Sequence, residues 1–205
     1  MSDGAHILTD EELDRKARII AEYYSRADSR MKDEGKTLFF DTEKGIWGPS
    51  DIAACFSIFK KMNLEKRNGF CDLGSGDARI IFVASLFTKS TGVESDNALC
   101  TLSNKIKIEL NRKIPSLSDC EIINGDYCSM DLSKYDVLFI FADHSWSEDF
   151  EKRLQSNWRG IILSYRDIFR PRLIKKGKTF WEGQIKIVTY PVNDPVNIAD
   201  DSFSS

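Results

Sequence analysis

The sequence predicts an α/β protein in which a mostly parallel sheet is covered by helices on both faces, with a further helix placed in front. Three observations carry this expectation. Short apolar runs alternate with helix-compatible stretches through the middle of the chain, the order expected of βαβ units. Runs such as "VLFIFA", residues 137–142, are apolar without a two-residue alternation, as in strands buried on both faces. After Arg170 the alternation stops, and "KTFWEG" and "QIKIVTYPV" flank Gly183 as two paired strands.

Each element has its own signal. Thr9 and Glu12 form a capping box, and Leu13, Ala17, Ile20, Tyr24, Ala27 and Met31 recur at helical spacing, which predicts a helix from about Asp10 to Glu34. "TLFFDTEKGIWGPS" follows as an aromatic connection ending at Pro49, after which Ser50 is expected to cap a second helix running to about Asn63. Then come the strand "GFCDLG", a helix from about Asp77 to Phe87, the strand "STGVES" and a helix from about Asn97 to Arg112. The strands "CEIINGD" and "YDVLFIFAD", a helix from about Ser147 to Ser156 and the strand "RGIILSY" complete the alternation. Residues 1–44 are expected to be a helical extension and connector, 45–192 the main domain, and 193–205 a frayed tail. The first helix is expected to be an addition to the core fold, acting as a lid, an acceptor platform or a dimer contact.

Composition narrows the function. With 205 residues, 41% hydrophobic and 30% charged, the chain is long enough for one sizeable core. A net charge of −3 provides no basic field, so strong nucleic-acid binding is not expected. The first residues lack a secretory pattern and no run approaches the ~18 apolar residues of a membrane span, so a cytoplasmic location without membrane attachment is expected. Five cysteines, with no C-x-x-C pair, read as reduced core thiols. With His6 and His144 the only histidines, no metal site is expected, and chemistry must use an organic cofactor or carboxylates.

Residues 70–80, "FCDLGSGDARI", run from an apolar strand through two glycines into a helix. That geometry lets backbone approach a ligand and presents free amides to it. A P-loop would need a lysine after the glycines, and none is there; a dinucleotide loop would need a third glycine where Arg79 stands. Asp72 lies two residues before the first glycine. It would repel a pyrophosphate, but would attract an ammonium or sulfonium by a few kcal/mol at an effective dielectric of about 20. The loop therefore suits a cationic adenosyl ligand.

Asp72-x-Gly74-Ser75-Gly76-x-Ala78 resembles the acidic-x-Gly-x-Gly-x-Gly motif of class I S-adenosylmethionine-dependent methyltransferases, with alanine in the third glycine position. The resemblance runs from about Gly45 to Tyr165 and implies a Rossmann-like three-layer fold, a seven-strand, mostly parallel sheet with an antiparallel final strand, and S-adenosyl-L-methionine as cofactor. It implies that the loop wraps the methionine and ribose portions while Asp72 reaches the amino group. Glu94 would bind the ribose hydroxyls, Asp126 would face the adenine amino group, and the Tyr127 amide would bond the ring. "WGPSD", containing Trp47 and Ser50, is similar to the segment before the first helix in the protein-lysine methyltransferase branch, as is "DLGSGDAR". Plainer roles compete: a helix cap for Asp72 or Ser50, a solvated strand end for Glu94, a turn for Asp126.

On the acceptor side, many amino-methylating relatives carry Asn or Asp, two prolines and an aromatic after the fourth strand. Here that place reads "ADHSW": Asp143 keeps the acid, and the prolines are absent. Asp143 could orient or deprotonate an amine and His144 could act as base, although a plain loop role for His144 is equally consistent. Trp47 and Trp146 are expected to wall the methyl-donor end. The resemblance implies methyl transfer to an acceptor, with a protein lysine first and a small molecule second. A cofactor- or partner-binding protein without catalysis is the alternative of a different class.

Overall fold

The computed structural model describes residues 9–42 and 45–194; His6 and the expected tail beyond Asp194 lie outside the described residues. Helix α1 (Asp10–Asp33) begins as predicted, with Thr9 Oγ1 accepting a hydrogen bond from the Glu12 amide at 3.2 Å. The stretch read as a connection instead contains an antiparallel hairpin, β1 (Phe40–Thr42) and β2 (Gly45–Trp47). Three-residue strands are too short to show a two-residue period. Helix α2 (Ile52–Lys61) is capped by Asp51, not Ser50: the Asp51 carboxylate accepts from the Ala54 amide at 2.8 Å, and Ser50 is left buried one residue earlier.

The alternating part follows as β3 (Phe70–Leu73), α3 (Arg79–Ala84), β4 (Ser90–Glu94), α4 (Asn97–Asn111), β5 (Glu121–Asn124), β6 (Val137–Ile140), α5 (Glu148–Asn157) and β7 (Gly160–Tyr165). β8 (Thr179–Glu182) and β9 (Ile185–Val192) form the expected terminal pair. Helix α3 starts two residues later than predicted because Ala78 has φ +67°, a left-handed conformation that cannot belong to the helix. Ser147 caps α5, accepting from the Phe150 amide.

The seven-strand sheet has the order β5-β4-β3-β6-β7-β9-β8; its first five strands pair in parallel and β9 runs antiparallel to both its neighbours. The order reverses at β3, from which β4 and β5 extend one way and β6 and β7 the other. Outside the carboxyl ends of β3 and β6 this leaves the crevice where open parallel sheets bind ligands.

Alternate residues of the strands feed two cores. Phe70, Val137, Phe139, Ile161 and Leu163 pack with α1, α2, α3 and α4, whereas Cys71, Leu73, Leu138, Ile140 and Ile162 pack with α5. Leu13, Ala17, Ile20 and Tyr24 of α1 belong to the first core, so this helix is part of the packed body. Cys55, Cys71, Cys100 and Cys120 are buried thiols, but Cys128 is exposed, a correction to the expectation for all five. No described helix is long and apolar enough to cross a membrane.

Candidate active site

The glycine loop leaves β3 and is tied back to β4 through its backbone. Gly74 and Ser75 amides donate to the Val93 carbonyl at 2.8 and 3.0 Å. Glu94, at the end of β4, accepts from the Gly76 amide through Oε2 and from the Asp96 amide through Oε1, both at 2.8 Å. Each oxygen retains a lone pair, so Glu94 both shapes the loop and can accept from a diol. Gly76 has φ +55°, and a Cβ there would overlap the Trp47 indole nitrogen. Glycine is therefore required both by the turn and by Trp47 lying against it.

Asp72 is 4% exposed at the end of β3. Among the described residues, no hydrogen bond or ion pair involves its carboxylate. Burial, then the nearby charges of Glu94 and Asp77, push its pKa well above the usual carboxylate range. A buried carboxylate with acids for neighbours and no cation is costly unless a positive ligand completes it. The donor set fits S-adenosylmethionine: an uncompensated acid for its cationic end, Glu94 for its diol, and open space over Gly74, where a Cβ would meet nothing within 4 Å.

Arg79 takes none of that role, because it is already engaged. It is 5% exposed, with its guanidinium held by Asp77 at 2.7 Å and by Asp28 of α1 at 3.0 and 3.1 Å. Burial opposes its charge, but Asp77 and Asp28 outweigh burial and raise its pKa. The guanidinium carbon lies 4.6 Å from the centre of the Tyr24 ring and 5.6 Å from that of Trp47. The Tyr24 hydroxyl donates to the Asp77 carbonyl at 2.6 Å. Helix α1, the glycine loop and the hairpin thus meet at one cation. From sequence Arg79 is either a surface helix position or a salt-bridge partner of Asp77 or another site acid; the structure has the Asp77 pair, and nothing in the sequence names Asp28, 51 residues away, as the second partner.

The hairpin covers the cleft. The Ile46 amide donates to Asp143 Oδ2 at 2.7 Å, and a Cβ on Gly45, at φ +151°, would overlap that oxygen. Asp143 Oδ1 lies 2.5 Å from His144 Nδ1. The cavity that remains is about 130 Å³, below the ~300–1,000 Å³ of ordinary small-molecule sites.

Trp47, Ser50, Asp72, Gly74, Ser75, Gly76, Glu94, Tyr127, Asp143 and His144 all line this cleft, as the sequence reading groups them. Asp126 does not: its side chain is exposed and closes a local turn by accepting from the Cys128 amide at 2.8 Å. Trp146 is also absent from the lining. It is a core residue against Phe150, with Nε1 donating to the Phe169 carbonyl at 3.1 Å. Tyr127 is half-buried on the Phe150 ring, and burial above all pushes its hydroxyl up to about 12. Among the described residues no cluster of His, Cys, Asp or Glu could hold a metal ion.

Residues 41–140 match the family model of the histone methylation protein DOT1. Similar solved structures include an RNA methyltransferase from Salinibacter ruber in complex with S-adenosyl-L-homocysteine, 18% identical, covering 75% of this chain and 99% of that one with a TM-score of 0.61. A methyltransferase from Geobacter sulfurreducens is 9% identical over 83% of this chain and 88% of its own (TM-score 0.58). The putative methyltransferase yhhF from Escherichia coli is 15% identical over 72% and 89% (TM-score 0.54). No curated protein matches the chain. The sheet order and these likenesses define a class I, Rossmann-like methyltransferase fold. Within that class, the matched segment runs from β1 through β6 and so spans the hairpin, the glycine loop and both strand-end acids.

Proposed function

We propose that the protein methylates an amine of a protein side chain, lysine first, using the β3–β6 crevice. The observation that carries the cofactor half is Asp72, a buried carboxylate left without a partner where a cationic ligand would complete it. The acceptor half draws on the family match, which includes the hairpin segment before α2.

S-adenosylmethionine supplies a methyl group on a sulfonium, so positioning can provide most of the rate. Asp72 holds its ammonium, Glu94 accepts from its ribose hydroxyls, and the Tyr127 backbone meets the adenine. Trp47 excludes water from the loop. His144, exposed and held through Nδ1 by Asp143, retains Nε2 to take a proton from an acceptor ammonium at the mouth. The Asp126 carboxylate, engaged in its turn, is left out of this assignment.

A second reading, an RNA or small-molecule acceptor, draws on the likeness to the Salinibacter RNA methyltransferase. Incubation of the full chain with cell extract and methyl-labelled cofactor, followed by mass spectrometry of proteins, RNA and metabolites, separates these. Label on protein lysine is expected. Label confined to RNA or metabolites would overturn the acceptor, and tight cofactor binding without any label would leave a binding protein.

A further inference from the structure

A second groove, about 620 Å³, lies between α1 and α4, away from the cofactor cleft. Arg26 and Arg30 line it from α1, and Lys105, Arg112 and Lys113 from α4 and the residues just after it. Five cations in one groove are out of proportion to a chain whose net charge is −3. Two carboxylates line the same groove, and both are engaged: Glu22 pairs with Arg26 at 3.2 Å, and Glu109 accepts from the Tyr23 hydroxyl at 2.8 Å. Among the described residues, Arg30, Lys105, Arg112 and Lys113 form no ion pair. Ile108, 62% exposed, stands among them as an apolar contact.

We infer that this groove docks an acidic segment of a protein partner, one that carries an apolar residue among its carboxylates. Exposed apolar and charged side chains lining one groove suit a protein partner, and unpaired cations steer an acidic one to it. Single-stranded nucleic acid fits less well. Its binding surfaces offer aromatic platforms for bases, whereas the one aromatic ring here, Tyr23, is half-buried with its hydroxyl tied to Glu109. Glu22 and Glu109 would also face phosphates. The partner would sit on the same helix that reaches the cofactor loop, since Tyr24 and Asp28 point from α1 to the glycine motif while Tyr23, Arg26 and Arg30 line the groove.

The test uses the full chain and a fluorescein-labelled peptide of alternating Asp and Glu with one central Leu, read by fluorescence anisotropy. The double variant Arg30→Glu, Lys105→Glu should weaken binding roughly tenfold or more, since it sets like charges against the peptide. Replacing the central Leu by Ala in the peptide should also weaken it. Calorimetric affinity for S-adenosylmethionine and the melting temperature should stay at the wild-type values. Binding that ignores the charge reversal, or no binding to the wild-type chain, overturns the proposal. So does tighter binding of an oligouridine of equal length that the same variant abolishes, which would make the groove a nucleic-acid surface.

Discussion

Replacing Asp72 by Asn should make the free protein more stable and its cofactor binding weaker. The carboxylate is buried among acids with no donor. An amide of the same shape removes that repulsion and can donate to the neighbouring carboxylates. Relief of a buried, unsatisfied group is worth roughly 1–3 kcal/mol. At about 2–4 °C per kcal/mol for a chain of this size, the melting temperature should rise by about 2–12 °C. The gain should depend on pH in a definite direction. The folded state raises the Asp72 pKa, so it holds the proton more tightly than the unfolded chain does. Asp72 therefore weakens the fold increasingly as pH climbs from the ordinary carboxylate range toward the raised value, and the advantage of Asn widens over that window. Cofactor binding should change the opposite way, with affinity falling roughly 10- to 100-fold for a lost charge-assisted contact of about 1.5–3 kcal/mol. Thermal melts without cofactor across pH and calorimetry with it check both halves. An Asn variant that melts lower at neutral pH, or binds S-adenosylmethionine as tightly as wild type, would refute the reasoning.

Glu94→Ala should lower cofactor affinity roughly tenfold or more by calorimetry and also lower the melting temperature, because the Gly76 and Asp96 amides lose their acceptor. Asp28→Ala leaves Arg79 with Asp77 alone and should cost about 1.5–3 kcal/mol in urea unfolding; an unchanged midpoint would make the Asp28 contact energetically idle. Removal of residues 1–34 should abolish the cooperative thermal transition, against the expectation that the helix is an addition, since it uncovers the first core and strips Arg79 of Tyr24 and Asp28. A truncated chain that melts cooperatively near the wild-type temperature would restore the simpler picture. Asp143→Ala should reduce turnover about a hundredfold, the scale of lost positioning or proton transfer. Because it also frees Ile46, it should speed cofactor release in stopped-flow displacement, and unchanged release would show that the hairpin is held by other contacts.

What was legible in the sequence is what neighbouring residues decide. Strands β3, β6 and β7 announce themselves because both faces are buried and no polar residue interrupts the core positions of β6. Thr9 and Ser147 start helices through bonds to amides three residues on. Asp72 and Glu94 were readable as candidates for one cleft because each ends a strand, which in a parallel sheet brings residues far apart in sequence to one edge. The misreadings occurred where local signals were tied. Ser50 and Asp51 are both competent caps, and the chain uses the second. Trp146 suits a site wall or a core equally well by type, and the partner that decides it, Phe169, is 23 residues away. Asp126 sits in an Asn-Gly-Asp turn whose own amide at Cys128 claims its oxygen.

Arg79 shows the deeper reason that contacts can escape a sequence reading. Standing where a dinucleotide loop would have glycine, it excludes one ligand, and its sequence neighbourhood offers Asp77 as the one nearby acid it could pair with. In the folded chain the same residue joins α1 to the loop through Asp28 and Asp77 and lies beside both Tyr24 and Trp47. A buried guanidinium must find acids and flat surfaces, and the glycine motif by itself supplies only Asp77. The remaining partners had to come from elements outside the motif, and α1 and the hairpin provide them. Arg79 thus adds a polar tie to the apolar packing of Leu13, Ala17, Ile20 and Tyr24 that attaches the N-terminal helix. Alanine at position 79 would leave Asp28 without its cation and Asp77 adding its charge to the crowd around Asp72, so loosening of α1 and a change in cofactor affinity should appear together.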